Sequence, residues 1–301
     1  MPSLKRECGT VTQISILMRV GTWESSGKKN FGTGVNSMSF RDIVVDACPR
    51  NDIPRTLELA REMAIAFDAR LFVVAYAWPV TTAADVLAGN RLIAERQMQE
   101  ALYVTRAAFD RVFEDTSINV EWCSGVGDPT TVLGEHLLTA DLLITSAAEG
   151  HGNVAPEPAN LALGSGAPVL RLGSASVTGR FSSVLVAWKG CPQARRALHD
   201  ALPILKRADK VTVVGVGNET TVAQLEAVAE HLCRHDVTAS HLHLSHSEQD
   251  VCAELIGHAQ RENADMIVAG IYSRGPLAQR VLGGVTRELL KTSDLSWFMA
   301  R

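Results

Sequence analysis

The sequence has no C-x-x-C pair, although it carries six cysteines. Cys8, Cys48, Cys123, Cys191, Cys233 and Cys252 are scattered through the chain. That spacing excludes a zinc knuckle and a dense disulfide framework, and it fits a reducing compartment. No apolar run approaches the roughly 18 residues that a membrane-spanning helix needs. There is no excess of positive charge: 29 Lys and Arg stand against 33 Asp and Glu, a formal net charge of -4. A slightly acidic chain has no general attraction for nucleic acid or for an anionic membrane, so neither is expected as a partner. Two catalytic loops are also missing. No G-x-S-x-G elbow and no G-x-x-x-x-G-K-[ST] loop occurs, which argues against a serine hydrolase of the α/β type and against a P-loop NTPase.

What is present is globular. Hydrophobic residues make up 46% of the 301 positions and charged residues 21%, enough for two domains that each bury a core. Residues 1–39 read differently from the rest, with Gly21, Gly27, Gly32 and Gly34 and the adjacent Lys28 and Lys29. The segment has no sustained apolar period, so it is expected to be a disordered extension with Met38 as the natural start.

Beyond it, apolar periodicity alternates between short strands and helices. The order is strand (43–45), helix (54–68), strand (71–77), long helix (85–113), strand (118–123), helix (130–139), strand (141–145) and a last strand (167–172). A second series repeats it: strand (183–188), helix (193–206), strand (211–216), helix (221–235), strand (239–244), helix (250–262), strand (264–268), a further helix and a strand at 295–299. Ala264, Asp265, Met266, Ile267 and Val268 echo Ala140, Asp141, Leu142, Leu143 and Ile144. Alternating strands and helices predict parallel sheets covered on both faces, and the matching order predicts duplication. The Ser- and Gly-rich stretch 173–179 is the linker, with domains at 40–173 and 181–301.

The most specific local signal is Gly270, Ile271, Tyr272 and Ser273, running on to Leu282, Gly283, Gly284, Val285 and Thr286. It resembles the universal stress protein signature G-x-x-G-x(9)-G-[ST], with Gly270 and Gly283 correctly spaced. Val184 to Trp188 and the helix after them are similar to that family's opening strand and helix. The resemblance covers nearly all of 39–301, strongly in the second half and weakly in the first.

It implies two tandem doubly wound α/β domains, each a five-stranded parallel sheet of order 3-2-1-4-5 with a crevice at the switch point between the first and fourth strands. It implies ATP or another adenine nucleotide as the ligand. An Asp ending the first strand and a Val ending the second would hold the adenosine, and the glycine signature would wrap ribose and phosphates. Glycines let backbone approach a phosphate, and a helix N-terminus near Gly284 offers N–H donors. Carried over, Gly270, Ser273, Gly283, Gly284, Val285 and Thr286 fill the signature and Val216 the second-strand position.

Three departures stand out. Ser273 replaces a glycine, Gly284 replaces Ser or Thr, and Lys189 stands where the adenosine-contacting Asp belongs. In the first domain Cys48 takes that position and Tyr76 the second-strand position. Strand alternation is expected to turn Asp46 to the other side of the sheet. Gly150, Gly152 and Gly164 no longer keep the signature spacing, and Pro156 and Pro158 interrupt it, so the first domain reads as a poor nucleotide site.

The leading reading is a cytoplasmic, non-catalytic stress-response or signalling protein whose second domain binds a nucleotide. The alternatives are a protein-interaction scaffold or binder of another small ligand, and, ranked lower, a slow ATPase. The closing strands of the two halves are expected to pair into an internal pseudo-dimer, and further homo-dimerisation stays open. No metal is expected. His231 and His235 lie one helical turn apart on what reads as an exposed helix end, and His241 and His243 share a strand face. Cys48 and Cys191 follow the first strands, and each reads as a small loop residue more readily than as a reactive thiol.

Overall fold

The computed structural model describes residues 6–7, 39–77, 91–147, 156–244, 251–271 and 294–301. In chain order these form β1 (Arg6–Glu7), β2 (Asp42–Asp46), α1 (Ile53–Phe67), β3 (Arg70–Ala77), α2 (Arg91–Val112), β4 (Val120–Val126), α3 (Pro129–Leu137), β5 (Leu142–Ser146), α4 (Pro158–Ser165) and β6 (Val169–Leu172). The second half contains β7 (Ser183–Ala187), α5 (Pro192–Asp200), α6 (Leu202–Leu205), β8 (Lys210–Val216), α7 (Val222–Arg234), β9 (Ala239–Leu244), α8 (Val251–Arg261), β10 (Met266–Gly270) and β11 (Ser296–Ala300).

The eleven described strands belong to one sheet, in the order β1-β4-β3-β2-β5-β6-β11-β10-β7-β8-β9. Within it β4-β3-β2-β5-β6 and β9-β8-β7-β10-β11 each follow the order 3-2-1-4-5, with parallel pairing throughout each half. The inner strands are short runs of β-branched and other apolar residues, mostly buried, as parallel strands covered by helices must be, whereas the edge strand β9 is more polar and partly exposed. Ile43, Val45, Leu71 and Val73 point to one layer, and Val44, Val74 and Leu143 to the other.

Helix boundaries follow local chemistry. Pro54 stands in the first turn of α1, where its missing N–H costs nothing, and Asp68 closes the helix in the left-handed region at φ 53°. Thr221 and Gln224 form a reciprocal capping box at the start of α7. The helix expected across 193–206 is broken: α5 ends at Asp200 and the short α6 restarts at Leu202. Pro203 explains the break, because it has no N–H to continue the ladder and its ring crowds the preceding turn.

The two halves share a hydrogen-bonding pattern. The Asp141 carboxylate accepts from the N–H groups of Arg41 and Asp42 at 2.7 and 3.0 Å, and Asp265 does the same for Ser182 and Ser183 at 2.7 and 2.8 Å. Ala47 N–H donates to Val74 and Trp188 N–H to Val214. These equivalences, together with the strand registers, pair Asp46 with Ala187, Cys48 with Lys189, and Tyr76 with Val216.

β6 and β11 join the halves as the one antiparallel pair among the described strands, with Arg171, Leu170 and Val169 opposite Trp297, Phe298 and Met299. The pairing expected of the closing strands is therefore present, and it removes two sheet edges. The linker between the halves is pinned. Arg55 donates to the carbonyls of Gly173 and Ser176, Gly173 N–H donates to Ser296 Oγ at 3.0 Å, and Gly179 N–H donates to Glu62 Oε2 at 2.6 Å. No described helix is long and apolar enough to cross a membrane.

Candidate functional site: the two switch-point crevices

In each half the sheet changes direction of growth between the first and fourth strands, β2 and β5 in one and β7 and β10 in the other. Open α/β sheets bind ligands outside the carboxyl ends of such strands. The two halves treat this position differently.

In the first half it is filled from within. Asp46, at the end of β2, is 1% exposed. Its Oδ2 accepts from Arg50 Nη1 and Nη2, both at 3.1 Å, and from Thr145 Oγ1 on β5 at 2.7 Å. Its Oδ1 accepts from the Cys48 N–H at 3.1 Å, and Arg50 Nη2 also reaches the Asp46 carbonyl at 2.9 Å. The Arg50 side chain is as deeply buried as its partner. Burial is the largest influence and opposes the guanidinium charge, but Asp46 together with Cys48, Tyr76 and Asp52 outweighs it and holds Arg50 protonated above its ordinary range.

Tyr76 and Cys48 complete the cluster. The Tyr76 hydroxyl lies near Asp46 and Cys48 without a well-formed hydrogen bond to either. Burial, reinforced by the Asp46 charge, pushes the tyrosine well above its usual value and the Cys48 thiol up to about 11. Cys48 is thus a neutral, inert thiol, despite the nearby Arg50.

One expectation is corrected here. Asp46 does not face away from Cys48. Residues two apart on an extended chain share a face, and the structure places both with Tyr76 at the same crevice.

In the second half the same positions carry small residues. Ala187 replaces Asp46, Val216 replaces Tyr76 and, by the β5–β10 register, Ala269 replaces Thr145. All three are half-buried, where their counterparts are fully buried. The loop 188–191 is also shorter than 47–52, which supplies Arg50. Lys189 is exposed and forms an ion pair with Glu219, which lies in the turn after β8. The Lys189 hydrogen bond and charge hold the Glu219 carboxyl below its ordinary value. Glu219 went unnoticed in the sequence. It returns a carboxylate to the rim where Lys189 had removed one, and nothing in its local pattern signals this.

Gly270, at the end of β10, has a clear packing reason. A Cβ there would lie 2.5 Å from Ala194 N and 2.5 Å from Gln193 C, so α5 can approach the strand only if residue 270 is glycine. Gly270, Val216 and Lys189 therefore all stand around the carboxyl ends of the second-half strands. Ser273, Gly283, Gly284, Val285 and Thr286 lie outside the described residues.

The histidines also differ from expectation. His231 and His235 are half-buried, not exposed, and His199 of α5 packs against both. His243 Nε2 is 3.0 Å from the Gly217 carbonyl, which ties it to the backbone of the turn after β8.

No family model matches the chain, and no curated protein matches it. Solved structures do. A universal stress protein from Archaeoglobus fulgidus DSM 4304 superposes with a TM-score of 0.63 at 15% identity, covering 86% of this chain and 98% of that one. A putative universal stress protein from Pseudomonas aeruginosa UCBPP-PA14 gives 0.55 at 16% identity, covering 87% and 93%. The fold is that of the universal stress proteins. Both of these chains are matched over nearly their full length, so the likeness extends across both halves.

Proposed function

We propose that the protein is a non-catalytic universal stress protein that acts in a stress response by binding an adenine nucleotide in its second half alone. The observation that carries this reading is the contrast between the two crevices. The Asp46–Arg50 pair fills the first with a buried ion pair, whereas Ala187, Val216 and Ala269 line the second with small, half-buried side chains.

Binding is expected to be weak. Replacing an acidic acceptor by Lys189 removes a charged hydrogen bond, which costs roughly 1.5 to 3 kcal/mol, or about one to two decades of affinity. Lys189 in turn favours phosphate over bare adenosine. A scaffold that has lost its nucleotide is the second reading, and Lys189 at the acceptor position favours it. A slow ATPase ranks below both readings, because the carboxylate described at this rim, Glu219, is engaged by Lys189.

Calorimetry with ATP on the wild type, Lys189→Asp and Gly283→Val tests the proposal. Weak one-site binding that tightens with Asp and vanishes with Val is expected. Absence of binding in both the wild type and Lys189→Asp would favour the scaffold. Tight binding that survives Gly283→Val would overturn the placement in the second half.

A further inference from the structure

β9 ends the sheet, and no described strand pairs with its outer edge. Its counterpart in the first half, β4, is covered over Glu121 and Trp122 by β1. We propose that β9 is the interface of a symmetric homodimer, in which the same strand of a second copy pairs with it antiparallel about a two-fold axis near His241.

The edge is suited to pairing. Proteins blunt an exposed sheet edge with lysine, proline, a bulge or a very short strand. β9 runs for 6 residues without lysine or proline, and its register with β8 is unbroken from Ala239 to Leu244. The Leu244 carbonyl accepts from the Gly217 N–H, so residue 244 turns its backbone groups toward β8. That direction alternates from residue to residue along a strand. Leu242 and Ser240 therefore also bond toward β8, while Ala239, His241 and His243 direct N–H and C=O outward. With the axis at His241, that residue meets its own copy and Ala239 meets His243 of the second copy. Pairs of this kind exchange both hydrogen bonds, so every outward backbone group of the strand is used.

Charge selects a second copy, and one running in reverse. A groove follows this edge between α7 and β9, lined by Glu226, Glu230, Cys233 and Arg234 from the helix and by Ala239 and His241 from the strand. All four helix residues are exposed. Glu226 lies toward one end of the groove and Arg234 at the other, and neither they nor Glu230 form an ion pair with a described residue. An antiparallel copy sets the acidic end of one groove against the basic end of the other. A parallel strand would set like ends together. The arrangement is the same patch on both copies, so it closes at two.

Sedimentation equilibrium of the full chain between about 1 and about 100 micromolar tests the interface. The mass should climb with concentration from one chain of 32.4 kDa toward that of two. His241→Pro removes an outward N–H that β8 does not use, a change that an edge strand tolerates, and should leave a monomer throughout. Arg234→Glu should weaken dimerisation about tenfold, and adding Glu226→Arg should restore it, because the two signs are then exchanged across the axis. Glu58→Arg, exposed on α1, should change nothing. Circular dichroism verifies each fold, and the charge exchange on the helix surface keeps the test decisive if His241→Pro unfolds. A chain that stays monomeric at every concentration would overturn the interface. So would a dimer that survives in folded His241→Pro, or one that Arg234→Glu leaves unweakened or that Glu226→Arg fails to restore.

Discussion

Leu170 and Phe298 face each other across the antiparallel seam, and each is the other's counterpart in the duplicated half. The flanking pairs, Val169 with Met299 and Arg171 with Trp297, exchange under the same relation. The approximate two-fold axis of the chain therefore passes through this single residue pair.

Both side chains are fully buried, so Phe298→Ala should be costly. Truncating a buried phenylalanine typically removes about 3 to 5 kcal/mol. Urea unfolding should show the unfolding free energy reduced by that amount and the midpoint lowered in proportion, with both halves melting in one transition because they share the seam. Val177→Ala, at a position 84% exposed, should leave the midpoint where it is. A Phe298→Ala variant as stable as wild type would mean that the seam contributes little.

The Asp46–Arg50 pair predicts a sign reversal between single and double variants. Arg50→Met leaves a buried carboxylate without its cation, a loss of about 3 to 5 kcal/mol in comparable cases. Adding Asp46→Ala, the residue found at the equivalent position of the second half, removes the orphaned charge and should restore at least half of the loss. Lys189→Met, which breaks an exposed pair, should not move the midpoint measurably. Equal stability of the single and double variants would show that Asp46 is not the partner Arg50 serves.

His136 makes stability depend on pH. Its ring lies 6.3 Å from that of Phe72, and burial lowers its pKa below 6.5 even though Glu135 and Glu121 pull it upward. The unfolded chain takes up its proton near pH 6.5, but the folded chain does so only at lower pH. Stability is thus full above 6.5 and declines as pH falls from there toward the folded value. His136→Gln should lessen the fall in urea midpoint between pH 7.5 and 5.5 without abolishing it, because burial lowers His199, His231 and His258 in the same direction. A variant with the same slope as wild type would refute the assignment.

Much of this architecture could be read from residue order. The strands are apolar runs of the right length, and the echo of 140–144 in 264–268 marks two positions where Asp141 and Asp265 make equivalent hydrogen bonds. The equivalences of Cys48 with Lys189 and of Tyr76 with Val216 follow from strand register, which period-2 patterning specifies well. The contents of the crevices were less legible. Thr145 meets Asp46 across 99 residues of sequence, and His199 meets His231 through the packing of separate helices. Neither contact has a local period. The Pro203 break was visible in the sequence as a proline within an apolar helical pattern, but the continuous spacing around it masked the interruption.

The antiparallel seam fixes the direction in which each crevice opens. Strands β2 and β5 run one way and β7 and β10 the other, so their carboxyl ends emerge on opposite margins of the sheet. From β2 to β7 is five steps in the strand order, about 24 Å at the usual strand spacing. The molecule consequently has two poles that look away from each other. One is sealed by an internal ion pair and the other is rimmed by an exposed one. Anything that docks over the first pole leaves the second uncovered.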